Sequence, residues 1–207
     1  SVTVEGETKE AVDPYAKACG INGKRGMIVD FEKVNEEIGW DQVGYPNANL
    51  QAETDAVVYE AHVRDMTISE TSGVVREEKG TFLGLSRKGT TYTDANGKTV
   101  STGLDHVKEL GITHIQLEPF YDYASTEETE VKRYEHELNY NWGYDPYNYN
   151  CLEGGYSTDP FNGFTRIYEF KEMMKSFYDY DIGLIMDVVY NHTAKGPDSW
   201  FNLIVPG

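Results

Sequence analysis

Asp187-Val188-Val189-Tyr190-Asn191-His192 sets a carboxylate, an amide and an imidazole within one short segment at the end of an apolar run. Such groups, on the carboxyl edge of a buried strand, can face one cleft and grip a polar ligand. The same residues also suit a plainer role, with Asp187 turning the chain and His192 satisfied in a loop. One Asp, one Asn and one His make a thin metal set, since calcium alone takes roughly six to eight oxygens.

The second cluster is Tyr140-Asn141-Trp142-Gly143-Tyr144-Asp145-Pro146-Tyr147, a stretch crowded with flat rings, amides and an acid. Sugars are held by such sets: their C–H faces stack on aromatic rings, and their hydroxyls pair with Asp, Asn and His. Rings also pack long loops onto a rim, a reading that serves Trp142, Tyr147 and Tyr149 equally well. Tyr144 and Asp145 stand out because Gly143 permits close backbone approach and Pro146 stiffens the turn. His62, Arg64 and Glu118 end strand-like runs and reach the same cleft or form ordinary ion pairs. The acidic run Glu127-Glu128-Thr129-Glu130 reads as solvated loop surface. There is no dinucleotide fingerprint, P-loop or nucleophile elbow.

Positioning these groups requires strands that end near one another. Ala56 to Arg64 alternates β-formers with polar residues, and Ile112 to Glu118 is a second strand stopped by Pro119. Leu104, Val107 and Leu110 fall at helical spacing before Gly111, where a left-handed cap is expected. Some forty residues from Phe120 to about Pro160 read as a functional loop. Phe164, Ile167, Phe170, Met174 and Phe177 then mark an amphipathic helix. Ile182 to Val189 is apolar on both alternating faces, as a strand buried on both sides would be. Strands alternating with helices predict an α/β fold, either a (β/α) barrel or a doubly wound sheet. Residues 1–50 are punctuated by Gly, Asn and Pro, with a turn at Tyr45 to Asn49, and read as a connector.

With 207 residues, 39% hydrophobic and 13% aromatic, the chain has material for a sizeable core. Its 18 basic against 35 acidic residues give a formal charge of −17, which argues against nucleic acid and anionic lipid as partners. No apolar run approaches the roughly 18 residues of a membrane helix, so no membrane partner is expected. Cys19 and Cys151 lack metal spacing and read as free thiols. The first residue is Ser rather than Met, as in a trimmed piece, and no compartment is assigned.

Taken in order, these clusters resemble the type I pullulanases of the α-amylase superfamily, the starch-debranching glycoside hydrolases. The likeness rests on Asp13-Pro14-Tyr15-Ala16-Lys17-Ala18, Tyr59 to Asp65, Gly111-Ile112-Thr113-His114, the aromatic loop from Tyr140 to Pro160, and Asp187 to His192. It implies a (β/α)8 TIM barrel, with about the first three βα units in residues 51–207, preceded in 1–50 by the tail of a starch-binding-like β-sandwich and a linker.

The resemblance also implies that Asp187 and His192 bind the sugar beside the scissile bond and that Tyr144 stacks on that ring. Trp142 and Asp145 belong to the same binding set, and Asn191 supports it. No cofactor is required, although calcium-dependent relatives use the matching Asn, which admits calcium here. The family's chemistry is retaining hydrolysis of α-1,6 branch linkages, with an Asp nucleophile and a Glu acid/base about 5–5.5 Å apart. Those carboxylates sit on later strands, so the chain is expected to hold none of them and to be inactive alone. Its expected partners are an α-glucan and the remainder of the enzyme, as a second chain or a C-terminal continuation. With three strands and open edges, the segment is not expected to fold stably by itself. The alternatives are a non-catalytic carbohydrate-binding or scaffold protein with an amylase-like fold, and an isoamylase-like debranching relative.

Overall fold

The computed structural model describes residues 1–46, 50–130 and 141–205. Asn47 to Asn49 of the expected turn, Tyr140 of the aromatic cluster, and Pro206 and Gly207 lie outside the described residues.

The amino-terminal stretch pairs β1 (Val2–Val4) with β2 (Glu7–Lys9) antiparallel. It also contains a helix that was not anticipated, α1 (Phe31–Ile38). Asp30 caps its start by accepting from the Lys33 amide, and Gly39 ends it in a left-handed conformation at φ 69°. Val34 and Ile38, one helical turn apart, are buried with Ala18 and Ile167. The segment read as a connector therefore packs onto the later helix that carries Ile167.

The main layer contains β3 (Val58–Ala61), α2 (Phe82–Leu85), the exposed hairpin β4 (Thr91–Thr93) and β5 (Thr99–Ser101), then α3 (Gly103–Glu109) and β6 (His114–Leu117). Next come β7 (Tyr121–Tyr123), β8 (Pro146–Leu152), α4 (Gly163–Asp179), β9 (Gly183–Met186) and α5 (Trp200–Ile204). Strands β3, β6 and β9 form one parallel sheet in that order. The predicted βα steps are present, and the chain is α/β. Among the described residues this sheet has three strands and does not close into a barrel.

The core lies on one face of the sheet. Ala61, Ile115 and Leu117 pack there with Leu104 and Val107 of α3, Met173 and Phe177 of α4, and Phe82 of α2. Met173 and Phe177 are fully buried, each contributing on the order of 2–3 kcal/mol. Of the residues that predict α4, Phe170 and Phe177 join this stripe, with Met173 rather than Met174 between them, and Asn162 caps the helix by accepting from the Phe164 amide. The opposite face is open: Val58 is 48% exposed and Ile185 only partly covered. The expectation that the third strand is dry on both sides therefore fails among the described residues, because helices cover one face only.

The expected long loop is also corrected. Tyr121–Tyr123 and Pro146–Leu152 pair antiparallel with register irregularities. All three residues of β7 are buried, and a run of three is too short for alternation to mark it as a strand.

Candidate sugar-binding site

The three parallel strands end in register. Ala61, Leu117 and Met186 are partners across the sheet. The ladder runs one step further, with the Glu118 amide donating to Ala61 O and the Asp187 amide to Leu117 O, both at 3.0 Å. Alternation then directs His62, Glu118 and Asp187 to the face away from the core. Burial pushes the Glu118 carboxyl up; His62 opposes this, while Glu60, Asp65 and Asp187 reinforce it. The Glu118 Oε2 is buried without a hydrogen-bond partner. In parallel α/β folds, ligands collect at this carboxyl edge.

The aromatic segment reaches the edge from β8. His62 Nδ1 accepts from the amides of Arg64 at 3.2 Å and Asp65 at 3.4 Å, which leaves Nε2 as the protonated nitrogen. Nε2 donates to Asn141 O at 2.7 Å, with the Tyr156 hydroxyl at 3.1 Å. His62 thus ties the aromatic segment to the end of β3. Gly143 crosses Pro119 at φ 85°, a backbone that favours glycine.

Beyond that glycine, the Tyr144 hydroxyl donates to Asp187 Oδ2. Sharing its proton with this carboxylate, and then burial, push the Tyr144 phenol up, so the hydroxyl stays protonated. His192 Nε2 lies 2.8 Å from Tyr144 O, and His192 Nδ1 is 3.2 Å from the Asn191 side-chain oxygen. Tyr149 donates to His192 O at 2.8 Å. The structure therefore gathers Tyr144, Asp187 and His192, with Asn191 behind the imidazole. Tyr144 is 38% exposed, leaving part of its ring open.

Asp145 and Trp142 stand differently. Asp145 accepts from Asn141 Nδ2 at 3.1 Å and from the Ser125 hydroxyl, so both carboxylate oxygens brace the loop. Trp142 is 60% exposed on the same loop. Arg64 is buried beside Asp65, with a separation of 3.8 Å.

Several supporting residues were not singled out from sequence. The Tyr121 hydroxyl accepts from the Val189 amide at 2.8 Å, which fixes the backbone just past Asp187, and burial pushes its phenol up to about 12. Behind β7 and β8, buried Arg166 pairs with Glu128 Oε2 at 2.7 Å and lies 3.8 Å from Asp122 Oδ1. It also donates to Leu152 O at 2.8 Å and, through Nε, to Pro160 O at 3.0 Å. Glu128 is 3% exposed, so the acidic run is not uniformly solvated surface. A residue that pairs only across sequence leaves no local signal.

Carboxylate oxygens of Asp122, Glu128 and Glu153 lie within 4.8 Å of one another, the group among the described residues whose acids could share a cation. Arg166 already supplies positive charge there. Burial, then repulsion from Glu128, pushes Asp122 up to about 7 and Glu153 well above the carboxylate range. The group contains neither Asp187 nor Asn191.

The three-strand parallel sheet with an aromatic loop folded over its carboxyl edge matches part of an amylase-type catalytic domain. The family described as alpha amylase, catalytic domain, matches residues 58–204, and the chain belongs to that family. Within it the chain is pullulanase-like. It is 38% identical over 202 residues to the pullulanase of Bacillus subtilis (strain 168), covering 97% of this chain and 26% of that protein. Pullulanase A of Streptococcus pneumoniae is 38% identical over 208 residues, covering 92% and 15%. The crystal structure of the Paenibacillus barengoltzii pullulanase in complex with maltohexaose and α-cyclodextrin is 48% identical, with a TM-score of 0.84 over 95% of this chain and 29% of that one. The Bacillus acidopullulyticus pullulanase is 44% identical, with a TM-score of 0.84 over 99% and 23%. The chain thus spans about a quarter or less of the curated relatives' length.

Proposed function

We propose that this chain forms part of the sugar-binding wall of a retaining glycoside hydrolase acting on α-1,6 branch linkages of pullulan- or starch-type α-glucans. The observation that carries the reading is the hydrogen bond from Tyr144 to Asp187, which joins the aromatic segment and the strand-end segment in one cleft. In this reading the Tyr144 ring stacks on the apolar face of a glucose unit, while Asp187 and His192 receive its hydroxyls. Trp142 offers a further ring to the glucan, Asp145 braces the loop, and Asn191 orients His192. The carboxylates that break and remake the glycosidic bond are contributed by polypeptide outside residues 1–207. No step here requires a metal.

The test is maltotriose binding by calorimetry together with pullulan hydrolysis, for the wild-type protein, Tyr144→Ala and Tyr144→Phe. Tyr144→Ala is expected to lose binding by tenfold or more, about 1.4 kcal/mol. Tyr144→Phe keeps the ring and loses less. Equal affinity for all three proteins overturns the stacking role, and sugar binding without pullulan hydrolysis by the whole protein favours the non-catalytic alternative.

A further inference from the structure

Cys19 and Cys151, far apart in sequence, meet in one buried cluster with Val12. They are 0% and 2% exposed, and both are reduced. Both side chains pack in this cluster with Ala16 against it, and Cys151 Sγ donates to Ala16 O at 3.4 Å. The two sulfurs bridge different parts of the fold. Cys19 belongs to the amino-terminal segment, where it pairs with Gly26, whereas Cys151 lies on β8, the strand that continues directly from Tyr144 and Asp145.

We propose that Cys19 and Cys151 form a paired thiol site that closes to an intramolecular disulfide, clamping the amino-terminal segment to the strand that carries the aromatic loop. The oxidant is a small-molecule disulfide, RSSR. One cysteine thiolate attacks it, forming a mixed disulfide and releasing RS⁻, which takes up a proton. The second thiolate attacks the mixed disulfide, forming the Cys19–Cys151 bond and releasing a second RSH. Two protein thiols are oxidised, one RSSR becomes two RSH, and both protons leave on the released thiols. The neighbouring Cys151 side chain, then burial, hold the Cys19 thiol protonated. Exchange in the native state is accordingly slow and proceeds through local opening. Closing so long a loop removes freedom from the unfolded chain, so the oxidised form melts higher.

The test holds the purified whole protein in buffers of graded reduced-to-oxidised glutathione until its mass is constant. The samples are then alkylated in denaturant and peptide-mapped, and melting is recorded alongside. The expected result is a mass lower by two hydrogens, a peptide linked through Cys19 and Cys151, and a melting temperature raised by several degrees. A Cys19→Val, Cys151→Val double variant is expected to melt at one temperature in every buffer. Both thiols alkylated at all ratios, or each carrying only glutathione, overturns the pairing. A linked form that melts no higher than the reduced one overturns the clamp.

Discussion

Gly143 passes so close to Pro119 that a Cβ built on it would lie 2.5 Å from the Pro119 carbonyl oxygen. The contact presses the aromatic segment onto the end of β6, one residue from Glu118. Tyr144 meets Asp187 only because its neighbour has no side chain.

Replacing that hydrogen is therefore expected to move the loop. Gly143→Ala forces a side chain into a left-handed backbone, which costs about 1–2 kcal/mol before the clash is counted. Expected outcomes are a lower melting temperature and weaker maltotriose binding, read by calorimetry on the same sample. Unchanged affinity would mean that the loop does not need this approach to place Tyr144.

Arg166 is the cation of the buried acid group behind β7 and β8, and removing it leaves Glu128, Asp122 and Glu153 facing one another. Breaking a buried pair from one side costs about 3–5 kcal/mol. Arg166→Met is expected to lower the melting temperature by roughly 10 °C, at about 2–4 °C per kcal/mol for a chain of this size. A shift of a degree or two in thermal denaturation would contradict the stabilising role.

The same group predicts a pH dependence. Asp122 is pushed up to about 7 from an ordinary 3.8, so between those values the folded chain keeps a proton that the unfolded chain has released. Stability therefore falls as pH rises through that window, by up to about 1.4 kcal/mol per pH unit. Glu153 is pushed in the same direction. Glu127, pulled down to about 2 by hydrogen bonds from Thr129 and Asn22, works oppositely and only in more acid solution: its contribution is lost as pH falls below about 4.5. Melting followed from pH 4 to pH 8 is expected to decline across the series, and Asp122→Asn is expected to flatten the decline.

The parallel strands and α4 were legible because their residues obey one local rule each. Alternation marks β3, the stop at Pro119 marks β6, an apolar run marks β9, and steps of three and four from Phe164 to Phe177 mark the helix. The pair Tyr144 and Asp187 was legible as two clusters, though nothing local says that they touch. Strand β7 was hidden because it spans only Tyr121–Tyr123, too short a run for alternation to mark it. Glu128 looked like surface because its partner Arg166 lies 38 residues away. Helix α1 was masked by the glycines around it, Gly26 and Gly39, although Phe31, Val34 and Ile38 carry the helical period.

The in-register ending of the sheet acts as a parity rule for Asp187. Met186 faces the helices and Asp187 the cleft, so one extra residue inserted between Gly183 and Met186 would exchange the two, whereas a second would restore them. Lengthening β9 by an odd count turns the carboxylate inward against Phe177 and Leu184, while an even count spares its facing and only shifts its height. Descendants of this sequence are therefore free to vary the composition of β9 far more readily than its length.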